Sequence, residues 1–500
     1  MAGDQISRDP ASPVPLRAVC EMLGLAPADA HLTGVTLRSQ SVQPGDLYAA
    51  LPGAKTHGAA FAAQAVAAGA VAVLTDPHGL DLAGELPVPV LVCPDPRSVL
   101  GEVSALVYGY PSRSLTTLGV TGTNGKTTVT YMLAAALQSL GVDTGMIGTT
   151  GTWLGGQRLP TERTTPEAPD VQAIMARMVA AGMRALTMEV SSHALVLGRV
   201  DAVTFDVAGF TNLSPDHLDF HADMEDYFAA KSRLFTGAHA RRAVINTDDE
   251  WGRRLARTCP VPKVTYALTG DADWTADDVQ YSSDGSRFTA VRGALRFPVV
   301  VHAPGDFNVA NALAALAMLA EAGYDASEAA GALADFHGVP GRMEVVRSTA
   351  PDAPTVIVDY AHTPDAVDRA LVSVAPLTQG KIWCVLGCGG DRDREKRPVM
   401  GRIAAQRAEH VIVTDDNPRT EDPALIRAAV LSGATEVAVG TEVVEVADRA
   451  EAIRGAVMAA GGGDTVLILG KGHETGQEIG GTVYPFDDRV VARDALEGRE

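Results

Sequence analysis

The chain has 500 residues, 46% hydrophobic and 20% charged, which is apolar material for about two to four globular domains. Its formal net charge of −20 argues against sequence-independent binding to nucleic acid or anionic membrane, since both need a basic face to displace counterions. Cys20, Cys93, Cys259, Cys384 and Cys388 are odd in number and scattered, the pattern of core thiols rather than of disulfides or a zinc site.

The first 19 residues are polar and proline-containing, without an apolar core. No uninterrupted apolar stretch reaches the roughly 18–20 residues of a membrane helix, so the expectation is a soluble, cytoplasmic protein. From Val35 to about Tyr110, apolar runs at 47–51, 71–74 and 88–92 surround an alanine-rich helix near 59–68, which reads as a small α/β unit. Pro111-Ser-Arg-Ser114 reads as a linker.

A predicted strand at 115–120 then runs into Gly119-Val-Thr-Gly-Thr-Asn-Gly-Lys-Thr-Thr128 and a helix beginning at Lys126, whose apolar face is Val129, Met132, Leu133, Ala136, Leu137 and Leu140. A glycine-rich turn ending in Gly-Lys-Thr between strand and helix suits a nucleoside triphosphate: backbone N–H groups meet phosphate oxygens, the lysine reaches the terminal phosphates, and the threonine hydroxyl can ligate Mg²⁺. Val120 stands where the strict pattern has its first glycine, so this is a variant loop.

Strand candidates follow at 146–149, 185–190, 205–211 and 243–246, alternating with helices, which implies right-handed crossovers and a parallel sheet. Glu189 ends one strand, before Ser191-Ser-His193, and Asn212-Leu-Ser-Pro-Asp-His217 follows the next. Each reads singly as a cap or a loop histidine; together with Thr127 they place oxygen and imidazole donors where an ion bridging nucleotide phosphates would sit. Lys231 lies in the amphipathic run 224–235 and reads by itself as a solvated helix lysine. Short β runs around Asp284-Gly285 predict a small antiparallel addition, ahead of a helix at 308–322.

The βα rhythm resumes beyond Met343, with strands at 355–359, 382–386, 411–414 and 466–469. A polar loop follows each: Tyr360-Ala-His-Thr-Pro364, Gly387-Cys-Gly-Gly-Asp-Arg-Asp393, Asp415-Asp-Asn-Pro-Arg419 and Gly470-Lys-Gly-His-Glu474. Ligands of open α/β sheets bind outside the carboxyl ends of the strands, so these four loops are expected to line one cleft. A nucleotide loop on one sheet and a polar cleft on another suggest an enzyme that activates one substrate with ATP and joins it to a second.

Five motifs in order, Thr-Gly-Thr-Asn-Gly-Lys-Thr-Thr (121–128), Met-Glu-Val-Ser-Ser-His-Ala-Leu (188–195), Thr-Asn-Leu-Ser-Pro-Asp-His-Leu-Asp-Phe-His (211–221), Tyr-Phe-Ala-Ala-Lys (227–231) and Asp-Tyr-Ala-His-Thr-Pro (359–364), resemble the Mur ligase family over nearly the whole chain. The resemblance implies an α/β protein of three domains: a small N-terminal α/β domain for the UDP-sugar (1–112), a central P-loop parallel-sheet ATPase domain with a small antiparallel addition (113–341), and a C-terminal Rossmann-like α/β domain for the amino acid (342–500). It implies an ATP-dependent amide ligase of peptidoglycan precursor synthesis that forms an acyl phosphate on the D-glutamyl γ-carboxylate of UDP-N-acetylmuramoyl-L-alanyl-D-glutamate, attacked by the amine of meso-diaminopimelate.

Carried over residue by residue, the resemblance assigns ATP to Gly122, Thr123, Asn124, Gly125, Lys126, Thr127, Thr128, Asn308, Arg342 and His362. Catalysis falls to Lys126, Glu189, His217 and Lys231, and two Mg²⁺ ions to Thr127, Glu189, His217 and Lys231, the last carrying a CO₂-derived carbamate. The UDP-substrate falls to Leu37, Ser39, Ala54, Lys55, Thr56, Arg163, Thr164, Thr165, Ser191, Leu197 and Arg199. Here Leu37-Arg-Ser-Gln, Arg163 and Leu197 depart from common family residues. Diaminopimelate falls to Arg392, Asp416, Asn417, Pro418, Arg419, Gly470 and Glu474, with Asp-Asn-Pro-Arg marking it over L-lysine because an arginine fork matches its distal carboxylate. A monomer is expected. The alternatives are the same ligase using L-lysine, a folylpolyglutamate synthase-like ligase, and a non-enzymatic P-loop switch.

Overall fold

The computed structural model describes residues 12–53, 55–159, 163–282, 285–303, 305–348, 352–437 and 439–499. Three parallel sheets succeed one another along them. The first has four parallel strands in chain order, Gly34–Thr36, Asp46–Ala49, Ala72–Thr75 and Val90–Val92. The alanine-rich segment splits into a 3₁₀ turn, Gly58–Phe61, and a helix, Ala62–Ala67. The supposed linker is a 3₁₀ turn, Pro111–Ser114, with Pro111 and Ser112 buried, so a packed corner joins the first sheet to the second.

In the eight-stranded central sheet Thr116–Thr121 lies between Ala185–Glu189 and Phe205–Phe210, both parallel to it. This order brings the phosphate loop, the end of the Glu189 strand and the 211–217 segment to one edge. Ala240–Asn246 and Lys263–Tyr266 extend one side; Thr144–Gly148 extends the other and carries a hairpin, Gly151–Leu154 with Gln157–Leu159, that the sequence reading missed. The expected antiparallel addition is the sheet Thr275–Ser282, Gly285–Arg292 and Leu295–Val301; Asp284 falls outside the described residues.

The helix after the loop, Lys126–Ser139, buries Val129, Met132, Leu133, Ala136 and Leu137. With Asp306–Glu321 it packs into the largest apolar cluster, pinning the loop to a rigid scaffold. The third sheet runs in the order Glu344–Val346, Thr355–Asp359, Thr465–Leu469, Ile382–Leu386, His410–Val413, Glu442–Glu445, parallel but for the first strand. The four polar loops leave adjacent strands. All five cysteines are buried and free, as core thiols should be.

Candidate active site

The phosphate loop owes its path to two glycines. Gly122 has φ +150° and a Cβ there would stand 1.9 Å from the Thr211 hydroxyl; Gly125 has φ +85° and its Cβ would meet Asn311 Oδ1 at 2.5 Å. Val120 is a fully buried strand residue, so the missing first glycine is paid for in no strain at the turn. The 211–214 segment braces the loop: Thr123 N–H donates to Asn212 O at 2.9 Å, Asn124 N–H to Asn212 Oδ1 at 3.0 Å, and the Thr211 hydroxyl to Asn124 O at 2.6 Å. In this arrangement the N–H groups of Thr123 and Asn124 are donated to Asn212, while the first turn of the helix from Lys126 points its own N–H groups into the mouth of the loop.

Lys126 Nζ turns back onto its own loop, donating to Gly122 O at 2.9 Å and Thr123 O at 2.8 Å. Burial pushes its pKa down, opposed by Glu189 and Asp216. Thr127 donates to Glu189 Oε2 at 3.0 Å, and Glu189, 1% exposed, also accepts from Thr149 N–H at 2.8 Å and the Thr149 hydroxyl at 3.0 Å. A buried carboxylate in contact with the loop threonine is the donor set a hard cation needs.

His217 has φ +55°, a conformation uncommon outside glycine, and its ring meets His193 edge-on at 5.0 Å. Desolvation lowers its pKa to about 4, leaving a neutral imidazole at pH 7. Asp216, which burial alone would raise, is held below the usual carboxylate value by His217, His362, Lys396 and Lys126. Among the described residues no three His, Cys, Asp or Glu side chains converge closely enough to hold an ion alone. The hydroxyl of Thr127 and the carboxylate of Glu189 suit a hard cation such as Mg²⁺ and would hold it beside the loop.

Lys231 overturns the sequence-only reading of a solvated lysine. It is 1% exposed, its Nζ donates to Gly122 O at 2.8 Å and sits 4.5 Å from the centroid of the Tyr227 ring. Desolvation, with the Lys126 charge beside it, holds its pKa well below the normal value. The helix Met224–Ser232 presents this residue inward because Tyr227, Phe228 and Ala230 are buried on the same segment.

These residues share a cavity of about 1380 Å³ with groups from the third sheet's side. Arg342 lays its guanidinium over the Tyr360 ring at 4.4 Å and approaches the Thr127 hydroxyl at 3.5 Å. Asp365 accepts from Asn124 Nδ2 at 2.9 Å and from the Ser214 hydroxyl at 3.2 Å, clamping the phosphate loop from the opposite sheet. Asn308 and His362 line the cavity, and Asn311, one turn beyond Asn308, donates to Asn308 at 3.3 Å. Thr149, Asn311 and Asp365 were missed; only the i, i+3 spacing of two asparagines offered a signal.

The four C-terminal loops do not line one cavity. Tyr360, Ala361, His362 and Thr363 face this cavity, whereas Arg392, Arg419, Gly470 and Glu474 lie outside its lining. Strand order explains the split, because the 355–359 strand stands beside the short antiparallel edge strand, nearest Arg342. The other three loops knit together. Asn417 donates to Glu474 at 2.8 Å and accepts from the fully buried Lys471 at 2.9 Å, and Lys471 pairs with Glu474 at 3.0 Å. Gly470 (φ +117°) leaves no room for a Cβ, which would stand 2.4 Å from Asp416 Oδ2. Arg419, at φ +53°, donates to Gly390 O at 2.7 Å and faces Glu478 at 3.4 Å, while Pro418 O lies against Gly390. Arg392 is exposed, with one bond to Asp391 O.

The residues assigned to the UDP-substrate fall into two groups. Thr164 meets the Thr149 hydroxyl at 3.1 Å, Thr165 donates to Glu189 O at 2.8 Å, Ser191 N–H donates to Thr165 at 3.1 Å, and Arg199 donates to Thr165 O at 3.3 Å, so this set is continuous with the phosphate site. Arg163 pairs with Glu167 and Leu197 offers its carbonyl to Arg97. Leu37, Ser39, Lys55 and Thr56 belong to the first sheet's unit, with Ser39 buried in a 3₁₀ turn and Lys55 exposed; Ala54 lies outside the described residues.

A phosphate loop with a carboxylate on its threonine, closed over by an arginine and a carboxylate from a second sheet, defines an ATP-using enzyme of two or more lobes. Known proteins agree. Residues 31–108, 120–319 and 341–472 match the models "Mur ligase family, catalytic domain", "Mur ligase middle domain" and "Mur ligase, glutamate ligase domain". A UDP-N-acetylmuramoyl-L-alanyl-D-glutamate–2,6-diaminopimelate ligase of Streptomyces coelicolor is 51% identical, covering 97% of this chain and 97% of its own. One from Corynebacterium glutamicum is 45% identical over 99% and 96%. A solved structure bearing the same enzyme name superposes with TM-score 0.68 at 35% identity, over 98% and 99% of the two chains. The chain belongs to the Mur ligase family, and it is an ATP-dependent ligase. A folylpolyglutamate synthase from Mycobacterium tuberculosis, 19% identical with TM-score 0.61 over 75% of this chain and 92% of its own, shares the fold alone. Among the described residues no helix is long and apolar enough to cross a membrane.

Proposed function

We propose that this enzyme joins meso-diaminopimelate to the γ-carboxylate of UDP-N-acetylmuramoyl-L-alanyl-D-glutamate at the expense of ATP, within three domains spanning 1–112, 113–341 and 342–500. The observation that carries the reading is the convergence of Lys126, Thr127, Glu189 and Arg342 from two sheets on one cavity. The near half-identity to ligases named for this reaction supports the substrates.

In this reading Lys126 leaves Gly122 O and Thr123 O for the terminal phosphates, where its charge and that of Arg342 stabilise the transferring phosphoryl group. Thr127 and Glu189, with His217 as a neutral imidazole, would hold Mg²⁺, which when bound neutralises charge on the phosphate oxygens. Thr165, Ser191 and Arg199 would orient the dipeptide carboxylate beside Glu189. Burial, with the Lys126 charge beside it, holds the Lys231 pKa well below the ordinary lysine value, which favours the neutral amine that can attack the carbon of CO₂, lose a proton, and become an N-carboxylate that accepts rather than donates. The Asn417–Lys471–Glu474 network and Arg419 would receive the amino acid, with the arginine fork on its distal carboxylate. The oligomeric form assigned is a monomer.

The test is an amino-acid panel with ATP and the UDP-muramoyl dipeptide, following phosphate. Release that needs both the dipeptide and diaminopimelate is expected. Release with L-lysine at equal kcat/KM would sink the assignment of the acceptor, and release without either substrate would sink the ligase.

A further inference from the structure

Among the described residues, Glu167 draws three arginines onto one carboxylate. Its carboxylate stands 3.0 Å from Arg199 Nε, 2.5 Å from Arg163 Nη1 and 3.3 Å from Arg97 Nη1. It occupies the N-cap of the helix Ala168–Ala180, yet its side chain makes no capping bond and is turned wholly to the guanidiniums. Arg97 comes from the helix Pro96–Val107 beside the first sheet and donates also to Leu197 O at 3.3 Å, whereas Arg163 and Arg199 belong to the central unit. Arg199 is 9% exposed and reaches Thr165 O, whose residue bonds Glu189 O and Ser191. Burial first, then Arg163 and Arg97, lowers the Arg199 pKa, and Glu167 opposes them.

We propose that Glu167 is a positioning residue that holds Arg199 and Arg97 together across the boundary between the first and central units, so that their guanidiniums meet the carboxylates of the dipeptide substrate. The inference rests on the ligase reading above. The guanidiniums of Arg163 and Arg97 repel that of Arg199, and an anionic ligand relieves this repulsion. Without Glu167, Arg199 and Arg97 separate and the substrate must order them itself.

Glu167→Gln keeps the shape of the side chain and removes its charge. The expected result, in steady-state assays with all three substrates varied, is a KM for the UDP-muramoyl dipeptide raised about tenfold, with KM for ATP and for diaminopimelate within twofold. Arg97→Gln should raise the same KM, and the double variant should be no worse than Glu167→Gln, because both break one unit. A uniform rise in all three KM values, or strictly additive effects, would overturn the proposal. Wild-type turnover with the dipeptide, measured alongside, tests the ligase reading separately.

Discussion

Replacing Glu189 by Gln separates a structural carboxylate from a metal-holding one. The native side chain accepts three hydrogen bonds at 2.8–3.0 Å while 1% exposed. Bonds to a charged acceptor contribute about 1.5–3 kcal/mol and neutral ones about 0.5–1.5, so each stands to lose roughly 1 kcal/mol. Glutamine can still accept from Thr149 N–H through its oxygen, and the hydroxyls of Thr127 and Thr149 can rotate to accept from its amide. The folding loss should therefore be about 1–3 kcal/mol, seen as a lower denaturation midpoint with an unchanged slope. The catalytic loss should be larger: removing one pre-placed electrostatic partner of a reacting phosphoryl costs about 3 kcal/mol or more, a hundredfold or greater fall in kcat/KM, with a raised Mg²⁺ requirement. Guanidinium unfolding and coupled ADP assays over a magnesium series measure both. A variant that loses stability yet keeps kcat/KM within tenfold at unchanged magnesium demand would refute a metal role for Glu189.

Lys231→Ala should abolish turnover, with partial recovery on adding short carboxylic acids; mass spectrometry of the intact wild-type protein under CO₂ that finds only the bare amine would count against the carbamate. Arg419→Ala should raise KM for diaminopimelate at least tenfold while that for ATP moves less than twofold, and equal shifts would rule out recognition of the distal carboxylate. His473 has its pKa pressed down to about 4 by burial, then by Arg342 and Arg489, against about 6.5 unfolded. The unfolded chain therefore binds the extra proton between those values, so stability is full above about pH 6.5 and falls as the pH drops towards 4. The slope from this one group is at most about 1.4 kcal/mol per pH unit. Urea unfolding between pH 7 and 5 should show it, and His473→Gln should flatten it; an unchanged profile would exclude the histidine as its source.

Much of this was legible in the chain because it is local. Gly122, Gly125 and Lys126 announce a phosphate loop by spacing, the βα rhythm announces parallel sheets, and polar loops after strands announce where ligands gather. What spacing could not convey was burial and partnership. Lys231 looks solvated on its helix, and only the packing of that helix beneath the loop takes its ammonium out of water and onto Gly122 O. The bracing of the loop by Asn212, the Asp365 clamp from the third sheet and the Glu167 cluster join residues far apart in the chain. The sequence by itself determined the elements and the kind of chemistry, since backbone geometry and side-chain type are local properties. Tertiary structure alone decided which loop N–H groups are already paired, which lysine has its pKa driven down and which loops line the central cavity, because desolvation and Coulomb fields depend on neighbours brought near only by folding.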